Sequence, residues 1–119
     1  MNYVLVFIGG GLGSICRFGI AQLLASQKLD FPYATLLANA LACIVLGVLM
    51  GMQIKNGVTD MQKFVLMTGF CGGFSTFSTF TGETVQLFQT GQVGYAFFNI
   101  LLSLLVCLIC LYLGMKLVS

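Results

Sequence analysis

Apolar positions in this chain come in long unbroken runs. Four runs stand out, roughly 3–26, 32–53, 62–88 and 93–118, separated by short polar interruptions. Each exceeds the roughly 20 helical residues needed to cross a hydrocarbon core of about 30 Å. The pattern predicts an all-α membrane protein with four transmembrane helices, forming one domain over residues 1–119. A secretory leader does not fit the first run, because Met1-Asn2-Tyr3 supplies no basic stretch and the apolar residues continue too far. The interruptions read as turns. "QKLDFP" (27–32) holds Lys28, Asp30 and the chain's single proline, placed for the first turn of a helix. "KNGVTDMQK" (55–63) carries an Asn-Gly turn signal, and "QTGQ" (89–92) closes the third run on a glycine. With the runs taking up nearly all residues, no soluble catalytic domain is expected.

Composition agrees with that reading. Hydrophobic residues make up 59% of the chain and charged ones 7%, against about a quarter charged in soluble domains. The mean hydropathy is +1.05. Four spans put Lys55, Lys63 and Lys116 on one side of the membrane, and Lys28 on the other with a snorkelling Arg17. That near-even tally gives the positive-inside rule little to act on. It fits a weakly biased single orientation or insertion both ways, and four short helices make a poor pore where an antiparallel pair supplies eight.

Candidate chemistry is sparse. The chain has no histidine, and no acidic pair presents itself, which excludes most metal-hydrolase, proton-relay and acid/base mechanisms. An enzyme is not expected. Arg17 and Glu83 are the ionisable groups inside the runs, and such groups are functional suspects because their burial is costly. Arg17 also suits a structural role, binding helix-end carbonyls or snorkelling, and Glu83 is near enough to a helix end to reach the interface. Five cysteines include Cys107 and Cys110 in CxxC spacing. They fall in "LLVCLICLYL", without charged neighbours to activate a thiol, and read as inert packing. "GGGLG" (9–13) lacks the features of a phosphate loop. Gly9/Gly13 and Gly47/Gly51 instead have the four-residue spacing of close helix contacts. Asn39 must find a hydrogen-bond partner, as glue between helices or as a pore-lining donor. Asn99, Ser103 and Cys107 recur every four residues as a narrow polar stripe.

The densest signal is "GFCGGFSTFSTF" (69–80), with three glycines, four phenylalanines and four hydroxyls in twelve positions. Gly72-Gly73 is the expected point of unwinding, with a break over Gly72 to Ser75. Carbonyls freed there suit a hard cation. Beyond it Phe77 and Phe80 follow helical spacing, with core packing as the simpler account of the stripe. Ser78 offers a hydroxyl between them, and Thr76, Thr79 and Glu83 continue one face. Hydroxyls and positive ring edges can both meet an anion, so conduction of an ion or solute is the functional reading, with the ion unspecified.

At these residues the chain resembles the Fluc (CrcB) family of fluoride channels. "GGGLGSICRF" (9–18) is similar to its first-helix pattern, "FPYATLLAN" (31–39) to its Phe-Pro…Asn segment, and "GFCGGFSTFSTF" to its third-helix signature. The resemblance implies a cell-membrane channel for passive fluoride export that relieves fluoride toxicity. It also implies an antiparallel, dual-topology dimer with two pores. A structural Na⁺ would be held by the backbone carbonyls of Gly72 and Ser75. Fluoride would pass Phe77, Phe80, Asn39, Ser78, Thr79 and Glu83, with Ser103 and Cys107 lent by the fourth helix and Arg17 at a vestibule. A homodimer is expected, although pairing with a paralogous subunit occurs in the family. Departures from the pattern are Ser75 for Thr, Ala34 and Ala42 for Gly, Phe18 for Tyr, and Cys107 for a hydroxyl. A small multidrug-type proton-coupled antiporter is the rival of equal size, but it needs a carboxylate in the first helix. A non-transporting membrane subunit would explain the glycines but not the hydroxyl-rich third helix.

Overall fold

The computed structural model describes residues 2–25 and 31–118, and the expectations for Lys28 and Asp30 lie outside them. Among the described residues every regular element is helical. Helix α1 is Asn2–Ala25, α2 is Tyr33–Lys55 and α5 is Val93–Val118. These three are long and apolar enough to cross a membrane. Between α2 and α5 lie two shorter helices, α3 over 60–74 and α4 at Phe77–Gln89. The chain is a multi-pass membrane protein.

Helix α3 opens on a capping box. Thr59 Oγ1 accepts from the Gln62 N–H, and Gln62 Oε1 accepts from the Thr59 N–H, both at 3.1 Å. From Lys63 to Cys71 it is wound as a π-helix, and it returns to α geometry over Gly72–Phe74. Such wide turns are rare and gather at functional sites.

The break falls later than the glycines suggest. Gly72 is helical, with φ −64° and ψ −36°, and the helix continues to Phe74. The extended residues are Ser75 (φ −85°, ψ 156°) and Thr76 (φ −151°, ψ 122°). The expected unwinding at Gly72-Gly73 is therefore corrected to Ser75-Thr76. What stops the helix is the cap of the next one: Thr76 Oγ1 accepts from the Thr79 N–H at 3.1 Å, which requires extended backbone at Thr76. Gly73 serves packing instead, because a Cβ there would run into the Gly10 carbonyl of α1.

Glycines set the two main helix contacts. In α1 against α3, a Cβ on Gly9 would strike the Val65 carbonyl and one on Gly13 the Phe70 carbonyl. In α2 against α5, Gly47 lies on the Leu111 carbonyl and Gly114 on that of Ile44. This is the small-residue packing expected where lipid removes the hydrophobic drive for helix association. Phe31, just before α2, packs against Tyr95 and Phe98 of α5. At the other end, Lys55 Nζ donates to the Val118 carbonyl at 3.2 Å. Helices α2 and α5 are thus parallel, so residues 60–89 return the chain along the molecule's long dimension of 48 Å. A small core of Ala38, Ala42 and Phe74, flanked by Ile20 and Phe70, joins α1, α2 and α3.

A turn of the Schellman type reverses α4 into α5. The Gly91 N–H donates to the Phe88 carbonyl at 3.2 Å and that of Gln92 to Leu87 at 2.8 Å. Gly91 takes φ +82°, the left-handed conformation in which a side chain is strained.

Candidate functional site: a groove at the helix break

Every group near the break is placed by the backbone bonds that the break leaves open. The Thr76 N–H, which would have closed on the Gly72 carbonyl in a continuous helix, donates instead to Asn39 Oδ1 at 2.8 Å. Asn39 Nδ2 donates to the Thr76 carbonyl at 3.2 Å. One amide side chain from α2 thus substitutes for a neighbouring strand and holds the extended residue from both sides. Arg17 Nε of α1 donates to the Gly73 carbonyl at 3.3 Å, the helix-end carbonyl role open to it from sequence. Ser75 bonds back to its own helix, its N–H at 3.0 Å and its hydroxyl at 2.8 Å from the Cys71 carbonyl.

These anchors surround a groove of about 190 Å³ lined by Arg17, Phe18 and Ala21 of α1, Ala34 and Thr35 of α2, and Thr76, Thr79 and Glu83. It joins one fixed cation, three hydroxyls and one carboxyl. Glu83 and Thr35 line the groove together, and Glu83 Oε1 is buried with no partner among the described residues. A buried acceptor left open is unusual, since about nine-tenths of such groups are satisfied.

The other expected residues lie outside this groove. Ser78 lies beside the groove, its Oγ 3.3 Å from Thr76 Oγ1. Phe77 and Phe80 pair on α4 with centroids 5.7 Å apart, and Phe77 is exposed. Gly72 and Ser75 line a separate shallow groove of about 170 Å³ with Ala42, Cys43, Leu46, Met67 and Cys71. Ser103 and Cys107 are not among the residues lining the Arg17–Glu83 groove. Ser103 Oγ donates to Asn99 Oδ1 at 3.2 Å, Asn99 Nδ2 to Thr84 Oγ1 at 2.9 Å, and Thr84 Oγ1 to the Phe80 carbonyl at 2.8 Å. That chain fastens α5 behind Phe80. Cys107 stands beside Cys43 of α2.

From sequence, neither Thr35 nor Thr84 is singled out, Asn99 is named only as part of a polar stripe, and Thr76 is set on a helix face without its capping role. Thr35 stands four residues before Asn39, so the two polar groups share a helix face, a signal present in the sequence.

Comparison with known proteins identifies the family. The family model described as "CrcB-like protein, Camphor Resistance (CrcB)" matches residues 4–115. A protein of Azobacteroides pseudotrichonymphae named "Fluoride-specific ion channel FluC" is 43% identical over 74 residues, 60% of this chain and 59% of that protein. Proteins of the same name from Pyrococcus abyssi and Thermus thermophilus are 45% and 36% identical, over 61% and 63% of this chain and 59% and 61% of theirs. The matched stretch thus spans about three-fifths of each of these relatives. Since the family pattern runs from the first turns of α1 to the last of α5, taking in the break and its anchors, the chain belongs to the CrcB family.

Proposed function

We propose that the protein is a channel, not an enzyme, that lets fluoride leave the cell passively across the cell membrane and so relieves fluoride toxicity. The observation that carries the reading is the break at Ser75-Thr76, which gathers Arg17, Thr35, Thr79 and Glu83 around one groove. The name shared by the relatives supports fluoride as the ion.

In this reading α3 and α4 together make the third of four spans. Neither is long enough alone, but they carry the chain back between the parallel helices α2 and α5. Extended backbone at that depth is tolerated because Asn39 and Arg17 satisfy its polar groups. Arg17 raises the local concentration of anions at a vestibule, its remaining N–H donors free to meet an anion. Thr79 and Ser78 then donate hydroxyls, Phe77 and Phe80 present ring edges, and the second hydrogen on Asn39 Nδ2 is available to the same path. Hydrogen-bond donors without a ring of cations hold a small anion weakly enough to release it. Ser103 acts from behind, through Asn99 and Thr84, to fix Phe80, and Cys107 stands behind the lining with it.

Two antiparallel copies would give two pores. The Gly72 and Ser75 carbonyls are suited to a structural Na⁺ between the copies. The amide that would have occupied the Gly72 carbonyl is bound to Asn39 instead, and neutral carbonyl oxygens are the donors a hard monovalent cation takes. When bound, such an ion would supply a fixed positive charge that pins the two breaks together.

The test is efflux. Purified protein in fluoride-loaded liposomes is expected to release fluoride under a K⁺ diffusion potential while chloride, loaded in parallel, stays inside. Retained fluoride, or chloride released as fast, would overturn the assignment.

A further inference from the structure

Taken singly, a cysteine inside an apolar helix is a packing residue. The fold brings two of them to one place with a methionine. The shallow groove of about 170 Å³ beside the break is lined by three sulphur-bearing residues, Cys43 of α2 and Met67 and Cys71 of α3. Cys71 is buried, Cys43 and Met67 are half-buried, and both thiols are free. Cys107 of α5 stands beside Cys43 without lining the groove.

Local winding sets Met67 and Cys71 on one side of α3. They belong to the π-helical stretch Lys63–Cys71, whose i→i+5 bonds make its turns wider than those of an α-helix. Residues four apart therefore fall more nearly in line along the axis, and Cys43 reaches the same groove from α2. The remaining lining is the apolar pair Ala42 and Leu46 with Gly72 and Ser75 of the break. The Ser75 hydroxyl already donates to the Cys71 carbonyl at 2.8 Å.

Two thiols and a thioether form a soft donor set, which selects cations such as Cu(I). A structural Zn²⁺ takes four N or S ligands, and among the described residues no three of His, Cys, Asp and Glu are grouped to hold a metal. A site here must use the thioether and suit an ion content with few ligands. Charge points the same way, because net charge is costly away from water. One thiolate with one monovalent cation is neutral.

We propose that Cys43, Met67 and Cys71 bind a Cu(I) ion, which ties α2 to α3 next to the break. Binding exchanges ligands and changes no oxidation state. One thiol gives its proton to water as its sulphur bonds the ion, and the second thiol and the thioether bind through lone pairs. The Gly72 and Ser75 carbonyls are hard donors and do not compete for such an ion.

The purified full chain, kept anaerobic and supplied with Cu(I), is to be dialysed against the Cu(I) chelator bathocuproine disulfonate. About one Cu(I) per chain is expected to remain, with sulphur as its only neighbour in X-ray absorption at the copper edge. Cys16→Ser, which removes an exposed thiol, should leave that ratio unchanged. Met67→Leu conserves volume and apolar character and should weaken retention about tenfold or more, as should Cys43→Ser and Cys71→Ser. Loss of copper from the wild type, retention undiminished in Met67→Leu or Cys43→Ser, or oxygen or nitrogen neighbours would each overturn the proposal. The readout does not depend on ion flux.

Discussion

Asn39 carries more of the site than any other single residue, because both ends of its amide are bound to Thr76. From sequence it was equally readable as glue or as a pore donor, and the geometry permits both, since a primary amide has two hydrogens and only one is bound to the Thr76 carbonyl. Asn39→Asp separates the roles. The shape and the acceptor for the Thr76 N–H survive, but the donor to the Thr76 carbonyl is lost and a carboxylate enters the path. At an effective dielectric of about 20, two unit charges about 5 Å apart repel by roughly 3 kcal/mol. That exceeds the ~1 kcal/mol expected for one lost hydrogen bond, so conduction should suffer more than folding. Fluoride efflux is expected to fall at least about tenfold, while the elution volume of the purified protein stays unchanged. Wild-type efflux would remove Asn39 from the path.

At the scale of helices, the adjacent glycines 72 and 73 have opposite surroundings, and this explains what the sequence did and did not disclose. Long apolar runs specify helices almost by length alone, which is why 3–26, 32–53 and 93–118 were legible to within a few residues. The Gly9/Gly13 and Gly47/Gly51 contacts were legible too, because small residues spaced by four leave a groove that only another backbone fills. The break was misplaced because glycine permits unwinding without requiring it. The requirement comes from Thr76 as a cap and from Asn39, 37 residues away in sequence, a pairing no local pattern contains. Thr79 and Glu83, four residues apart on one helix face, line one groove with Arg17, whereas Ser103 turns inward to Asn99 because a buried amide takes the nearest hydroxyl. Gly73→Ala tests the packing reading. Its methyl would meet the Gly10 carbonyl, and forcing α1 from α3 should cost about 1–3 kcal/mol, seen as a lower unfolding temperature in detergent. An unchanged temperature would mean that α1 does not rest on Gly73.

For the whole molecule the informative residue is Gly72. It is exposed, and a Cβ built on it has nothing within 4 Å, so one copy of the chain has no steric need for glycine there. Yet it lines the groove that also holds Ser75, beside Ala42 and Cys43, a concave face without a charged side chain. A second copy pressed against this groove would supply the close approach that the single chain lacks. Closely apposed breaks would also bring four carbonyls, Gly72 and Ser75 from each copy, around one point, the arrangement a structural Na⁺ needs. The consequence is an asymmetry between neighbours. Gly72→Leu should leave the single chain folded, with helical circular dichroism unchanged, while the proposed dimer is lost to monomer in light scattering of the detergent-solubilised protein. Gly73→Ala, by contrast, should lower stability before it alters association. Replacing Na⁺ by N-methylglucamine should weaken the proposed wild-type dimer in the same measurement. A Gly72→Leu protein that remains dimeric and equally responsive to Na⁺ would place the dimer contact elsewhere on the molecule and take the cation away from the break.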